Sequence, residues 1–125
     1  MSTLNVANIT DGTTTVGTSY VVNGSAKAWV SVQGNANPQA LLGSFNVSSL
    51  TDNGTGYGQI NLSSSMSNLN YSATTAKQNA NNNNAAETFF RDASSSSVVR
   101  WSFFESGGSL YDPLYWVGTV HGDLA

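Results

Sequence analysis

Short stretches that alternate between apolar and polar residues dominate the chain after residue 25, with turn-forming residues between them. Apolar side chains at every second position indicate β-strands, because successive side chains of a strand point to opposite faces. We predict seven strands in this part of the chain and no helix. The predicted strands are residues 26–33, 44–50, 57–63, 69–76, 87–92, 97–105 and 114–122. Their number and spacing are typical of an antiparallel β-sandwich or a jelly roll.

The best-defined local element is a β-hairpin that turns at the Asn-Gly pair of residues 53–54. Asn and Gly accept positive φ angles at low steric cost, and they are the preferred residues of tight hairpin turns. In the strand before the turn, Phe45 and Val47 share the face that we expect to be buried, and Leu50 points to the other face. The pattern therefore predicts two paired strands on either side of this turn.

The first 24 residues carry sparser apolar positions than the rest of the chain. Val6 and Ile9 are separated by small or polar residues, and they have too few apolar neighbours in sequence to build a core. We expect residues 1–24 to form a separate segment that needs a partner surface, and residues 25–125 to form the main domain. The segment is either a shaft in which strands of several identical chains wrap together, or an edge strand on the main domain.

The last two predicted strands are apolar on both faces, which indicates oligomerisation. Within residues 97–105, three apolar side chains share one face while Val98 and Phe104 lie on the other. The final strand also carries apolar groups on both faces. A two-layer sandwich covers only one face of each sheet, and a chain of 125 residues has little material for a third layer. We therefore predict a subunit interface. Its predicted residues are Val6, Ile9, Val98, Phe104, Trp116 and Val120.

Composition excludes several classes of function. Only 9% of the residues are charged, the net charge is −3, and there is no basic cluster, which argues against nucleic-acid binding. The absence of cysteine excludes disulfides and thiolate metal sites. No apolar run approaches the roughly 20 residues of a membrane helix, so we expect no membrane insertion. The first residues lack the features of a signal peptide, and we expect the product to stay in the compartment where it is made.

Candidate catalytic residues are few. The single histidine, His121, cannot form a zinc site within one chain, and no serine lies in a nucleophile-elbow sequence. Three copies of His121 around a trimer axis could converge on a metal ion. Glu87 with Asp92, or Glu105 with Asp112, could pair as glycosidase acids, but turn positions of this kind are ordinary for carboxylates. We predict no enzymatic activity, no cofactor and no metal.

Saccharide binding suits the surface composition better than catalysis does. Sugar faces stack on exposed aromatic rings, and sugar hydroxyls form hydrogen bonds with amides and hydroxyls of a neutral, Asn- and Ser-rich surface. Residues 79–84 form a polar tract that we interpret as an exposed loop, either ligand-facing or a plain connection. The candidate ligand-binding residues are Tyr57, Asn81, Asn82, Tyr111 and Tyr115.

Four stretches of the chain resemble a domain that recurs in bacteriophage tail fibres and related virion appendages. They are STLNV at residues 2–6, VNGSAKAWV at residues 22–30, FNVSSLTDNGTGY at residues 45–57 and GDLA at residues 122–125. The resemblance implies a trimeric, β-rich adhesion or decoration module, with the N-terminal stretch facing the particle and the main domain facing outward. On this basis we favour the shaft interpretation of residues 1–24 and a homotrimer.

The function that the resemblance implies is attachment of a virion to its host, with a cell-surface saccharide as ligand and other virion proteins as partners of the N-terminal segment. A structural module, such as a capsid decoration or a fibre tip without receptor binding, is the first alternative. A small polysaccharide depolymerase is the second. The implied location is the virion, after synthesis in the host cytoplasm.

Overall fold

In a computed structural model, which describes residues 1–78 and 88–125, the chain is mostly antiparallel β-structure. Its elements are β1 (Asn8–Thr10), β2 (Thr15–Gly17), α1 (Thr18–Gly24), β3 (Ala28–Gln33), β4 (Ala40–Phe45), β5 (Val47–Asp52), β6 (Tyr57–Leu62), β7 (Ser72–Gln78), β8 (Thr88–Ser95), β9 (Val98–Phe103) and β10 (Tyr115–His121). The expectation that helices are absent is wrong for α1. This helix buries none of its residues, and its β-branched Val21 and Val22 are residue types that favour strands, so the sequence gives little helical signal there.

Strands β3 to β10 form two four-stranded sheets that share one core. The strand order is β4-β3-β10-β7 in the first sheet and β5-β6-β9-β8 in the second. The ring centroid of Trp116 in the first sheet lies 5.5 Å from that of Trp101 and 5.4 Å from that of Phe103, both in the second sheet. Val30 and Ile60 complete the centre of this buried cluster. The inner faces of the two sheets therefore bury each other, and we call residues 28–78 and 88–121 the two-sheet body.

The predicted strand at residues 44–50 is divided between the two sheets. Asn46 has a φ of 54°, which ends β4 and lets the chain cross to β5. Its side-chain amide makes three hydrogen bonds that hold this corner. A β-bulge just after Val47 then turns both Val47 and Leu50 toward the core, while Phe45 stays 56% exposed. The prediction of which side chains face the core is wrong for Phe45 and Leu50. The corner and the bulge change the face to which the following side chains point.

The hairpin at residues 53–54 is confirmed. Strands β5 and β6 pair in antiparallel register around it, and Gly54 and Gly56 have φ values of 93° and 78°. The amide N–H of Gly54 donates to Asp52 Oδ1 over 2.9 Å, which closes the turn. Gly56 is also confined, because an added Cβ would lie 2.7 Å from the Cβ of Leu110. This turn therefore requires glycine for both its backbone angle and its close packing.

The connections between strands lie at two opposite ends of the two-sheet body, because neighbouring strands run in opposite directions. Residues 34–39, 53–56 and 104–114 connect strands at one end, which we call the loop end. Residues 63–71 connect strands at the other end, which we call the tail end. Because β3 begins at the tail end, the N-terminal segment enters the body there. The loops of the loop end thus lie at the end of the body opposite to the point where the N-terminal segment enters.

Residues 1–24 contain β1, β2 and α1, and the two-sheet body lies within the predicted main domain. Strands β1 and β2 form a small hairpin in which Ile9 pairs with Val16, and both side chains remain exposed, as does Val6. Helix α1 is tied to the body by Lys27, whose Nζ donates to the backbone carbonyl of Val22. That this segment is an independent unit stays a prediction.

We expect the pKa of Asp11 to lie below the value it has in the unfolded chain. Its Oδ1 accepts hydrogen bonds from the backbone N–H of Thr14 (2.7 Å) and Thr13 (2.9 Å), which stabilise the carboxylate and lower the pKa. Because the folded pKa is the lower one, this group stabilises the β1–β2 hairpin above its unfolded pKa, and the contribution is lost as pH falls through the folded pKa.

A carboxyl 13C NMR titration of Asp11 in native protein and in urea measures this difference. The variant Asp11→Asn is the control, because it keeps an acceptor oxygen without the titrating group. The β1–β2 hairpin of this variant should not lose stability through protonation at residue 11 as pH falls. Equal pKa values in the native and the unfolded protein would contradict the prediction.

Candidate functional site

A polar cleft of about 250 Å³ opens at the loop end of the body. It lies where the connections 34–39, 53–56 and 104–114 approach one another. Its lining residues are Asn35, Ala36, Asn37, Asp52, Gly54, Thr55 and Asp112. Three separate connections and the last residue of β5 therefore bring amides, carboxylates and a hydroxyl to one place, and we call this the loop cleft.

The backbone holds the two carboxylates of the loop cleft in fixed positions. Asp52 accepts hydrogen bonds from the N–H of Gly54 on Oδ1 and from the N–H of Gln39 on Oδ2, at 2.9 and 3.1 Å. Asp112 Oδ1 accepts from the N–H of Gly56 at 2.7 Å. A carboxylate oxygen accepts more than one hydrogen bond, so both groups keep capacity for a ligand. Their chemistry suits them as oriented acceptors for hydroxyl groups.

The three predicted ligand tyrosines lie at the loop end but on different surfaces. Tyr57 is the first residue of β6 and lies on the outer side of the second sheet. The ring of Tyr111 lies 4.7 Å from Lys77 Nζ, and Tyr115 lies on the outer side of the first sheet. Asn81 and Asn82 fall outside the residues that the structure describes. The structure thus brings these tyrosines to one end of the body without joining them in one pocket.

Sequence reasoning did not find the loop cleft. The sequence suggests Glu105 as a partner for Asp112, whereas the structure places Asp112 in the same cleft as Asp52. The run from Asn35 to Pro38 has turn composition, which is the one signal that an exposed connection lies there. Nothing in the linear pattern shows that this connection meets two others, because their convergence depends on how the sheets pack.

The outer side of the first sheet is a second exposed surface, which we call the apolar face. It consists of Trp29, Ser31, Gln33, Ala40, Gly43, Phe45, Ser72, Thr74, Ala76, Gln78, Tyr115, Val117, Thr119 and His121. Trp29 is 44% exposed and Val117 is 46% exposed. The Trp29 ring lies over Gly43, where an added Cβ would be 3.5 Å from its Cζ3 atom. The face carries no Lys, Arg, Asp or Glu side chain, so it offers apolar and neutral polar groups together with the imidazole of His121.

The outer side of the second sheet differs, because its polar side chains bond to one another. Asn61 Nδ2 donates to Ser49 Oγ (2.8 Å) and to Thr51 Oγ1 (2.9 Å). Arg100 Nε donates to Gln59 Oε1 over 2.8 Å. We call this surface the polar face. Its hydrogen bonds are made within the chain, so it does not require another molecule to satisfy them.

The predicted interface residues of the last two strands lie in different environments. Trp116 and Val120 are 1% and 0% exposed, and they belong to the core of the chain itself. The structure corrects their assignment to a subunit interface, because they have no surface left to offer. Val98 and Phe104 are partly buried. Strand β10 is apolar on both sides as predicted, but the side that remains uncovered is the one that carries Val117.

Within residues 1–78 and 88–125, no three His, Cys, Asp or Glu side chains are grouped so that they could hold a metal ion. In the same part of the chain, no helix has the length and apolar character needed to cross a membrane. Comparison of the chain with protein-family models, curated proteins and solved structures found no match.

Proposed function

We propose that this protein is a non-enzymatic, homotrimeric β-sandwich module of a bacteriophage virion appendage that binds a host-surface saccharide in the loop cleft. The observation that carries the proposal is the opposite placement of two features along one body. The polar loop cleft lies at the loop end, and the exposed N-terminal segment enters at the tail end. A module that joins a particle at one end and a receptor at the other needs this arrangement.

The chemistry of the loop cleft supports a saccharide as ligand. The amides of Asn35 and Asn37 both donate and accept hydrogen bonds, and the fixed carboxylates of Asp52 and Asp112 accept them from hydroxyl groups. A volume of about 250 Å³ is below the roughly 300–1,000 Å³ of sites for drug-sized ligands. The cleft therefore suits one sugar unit or the end of a glycan chain.

A glycan array and a cell-adsorption assay test this function. We expect the double variant Asn35→Ala/Thr55→Ala to bind its glycan about tenfold more weakly, because it loses two hydrogen bonds of about 0.5–1.5 kcal/mol each. Both side chains are exposed, so the fold should be retained. The matched control is Asn70→Ala/Ser63→Ala, which removes the same kinds of group from the tail end and should bind normally. Equal binding by the two double variants would place the ligand elsewhere.

A structural module without receptor binding is the second candidate function. The uncharged apolar face favours it, because such a surface suits contacts with other virion proteins. The two functions differ in the array result. If the wild-type protein binds no glycan and does not adsorb to cells while it still assembles, the structural function is the better account.

A further inference from the structure

Exposed apolar side chains of helix α1 and of the apolar face line one groove, which also contains Lys27 and Asp123. Phe45 lines this groove of about 620 Å³ together with Val21 and Val22 of α1 and Leu124 of the tail end. On the apolar face Phe45 is paired with Trp29 across β4 and β3. Monomeric proteins rarely leave contiguous apolar patches of more than a few hundred Å² exposed. An exposed apolar strip of this kind therefore indicates a surface that another molecule covers.

The absence of charge on the apolar face favours a second copy of the chain as that molecule. The face carries no Lys, Arg, Asp or Glu side chain from Trp29 and Phe45 to Tyr115 at the loop end, and His121 lies at its tail end. The two charged residues beside it, Lys27 and Asp123 of the adjoining groove, have opposite signs. Two such faces meet without repulsion between like charges. A charged partner would have to lose the hydration of its ionised groups and would find no opposite charge on this face, which is costly.

The size of the strip agrees with self-association only if the N-terminal segment takes part. The apolar face presents roughly a dozen side chains, whereas a stable interface takes about 20–30 residues from each partner. Residues 1–24 carry further exposed apolar side chains, which are Leu4, Val6, Ile9, Val16, Tyr20, Val21 and Val22. Of these, Val21 and Val22 line the groove beside the apolar face. Together the two parts approach the size that a stable assembly needs.

We infer that copies of this chain join through the apolar face, with α1 and the hairpin of β1 and β2 extending the same contact. The inference rests on the proposed homotrimer and identifies the surface that forms it. Around a three-fold axis, each apolar face is covered by the other two copies, while the polar face and the loop cleft remain in solvent. Trp29 and Val117 then lie in the interior of the assembly.

Tryptophan fluorescence combined with light scattering tests this inference. Of the three tryptophans, Trp101 and Trp116 are buried in the single chain and Trp29 alone is exposed. We expect wild-type protein at micromolar concentration to be an assembly of three chains in which acrylamide quenches little of the emission. The variant Val117→Lys places a charge in the interface, and it should give single chains with a severalfold larger quenching constant. The change Trp29→Phe in that variant should remove the increase.

Two further variants keep the test decisive. Ala76→Lys alters the position that pairs with Val117 on β7, so it should dissociate the assembly even if Val117→Lys folds poorly. Ser48→Lys adds the same charge to an exposed position of the second sheet and should leave the assembly intact. A wild-type monomer overturns the inference, as does an assembly that survives both changes on the apolar face or leaves Trp29 freely quenched. We also measure how much saccharide each chain of the Val117→Lys variant binds. This measurement tests the loop cleft separately from the assembly.

Discussion

Replacing Trp116 with alanine is expected to lower the free energy of unfolding by about 3–5 kcal/mol, the range for truncating a large buried aromatic side chain. Trp116 is 1% exposed and its ring contacts Trp101 and Phe103 across the two sheets. Its Nε1 also donates to Gln39 Oε1 over 3.1 Å. Because small domains are stable by only about 5–15 kcal/mol, this variant should unfold at much lower urea concentration.

The loss can be divided between packing and hydrogen bonding. Trp116→Phe keeps an aromatic ring but removes the N–H, so it should be less destabilising than Trp116→Ala. Gln39 accepts a hydrogen bond from the Trp116 N–H and donates one to the carbonyl of Tyr57. Gln39→Leu removes both of these hydrogen bonds, at an expected cost of about 1–3 kcal/mol. Urea titrations at one fixed protein concentration measure all three, because self-association adds to stability. A loss below about 1 kcal/mol for Trp116→Ala would contradict the shared core.

Adding one methyl group at Gly58 is expected to destabilise the protein by about 1–3 kcal/mol through overpacking. In Gly58→Ala the new Cβ would lie 2.7 Å from Trp116 Cζ2 and 3.1 Å from Phe103 Cε2. These rings form the centre of the core, where close packing leaves them little room to move. The measurement is again the shift in the urea unfolding midpoint.

A matched glycine provides the control for this prediction. Gly24 is the last residue of α1 and has no atom within 4 Å of an added Cβ, so Gly24→Ala should not destabilise the protein. Combining Gly58→Ala with Trp116→Phe should cost less than the sum of the two single changes, because the smaller ring makes room for the methyl group. Strict additivity, or equal effects at the two glycines, would contradict the packing that the structure shows.

Several local features were predictable because they depend on neighbours in sequence. The hairpin at residues 53–54 follows from its Asn-Gly turn, and the structure confirms it. Val99, Trp101 and Phe103 alternate along β9, and all three are fully buried. The general class, an antiparallel all-β chain, follows from the repetition of such segments. The short helix α1 was missed because it has no apolar periodicity and buries nothing.

The candidate site was less predictable than the strands. The aromatic residues Tyr57, Tyr111 and Tyr115 were selected for their position near turns, and they do lie at the loop end. The polar groups of the loop cleft come from three connections that are distant in sequence, such as Asn35 and Asp112. Their meeting depends on the order of the strands, which a single sequence does not display.

By itself, the sequence determined where strands form, where the chain turns and that the last strand is apolar on both sides, since these properties follow from alternation and from turn-forming residues. Only the tertiary structure decided which side of that strand faces inward. The corner at Asn46 and the bulge after Val47 place successive strands in different sheets, and that packing buries Trp116 while it leaves Val117 exposed. The physical reason is that burial depends on contacts across the whole chain, which local alternation does not specify.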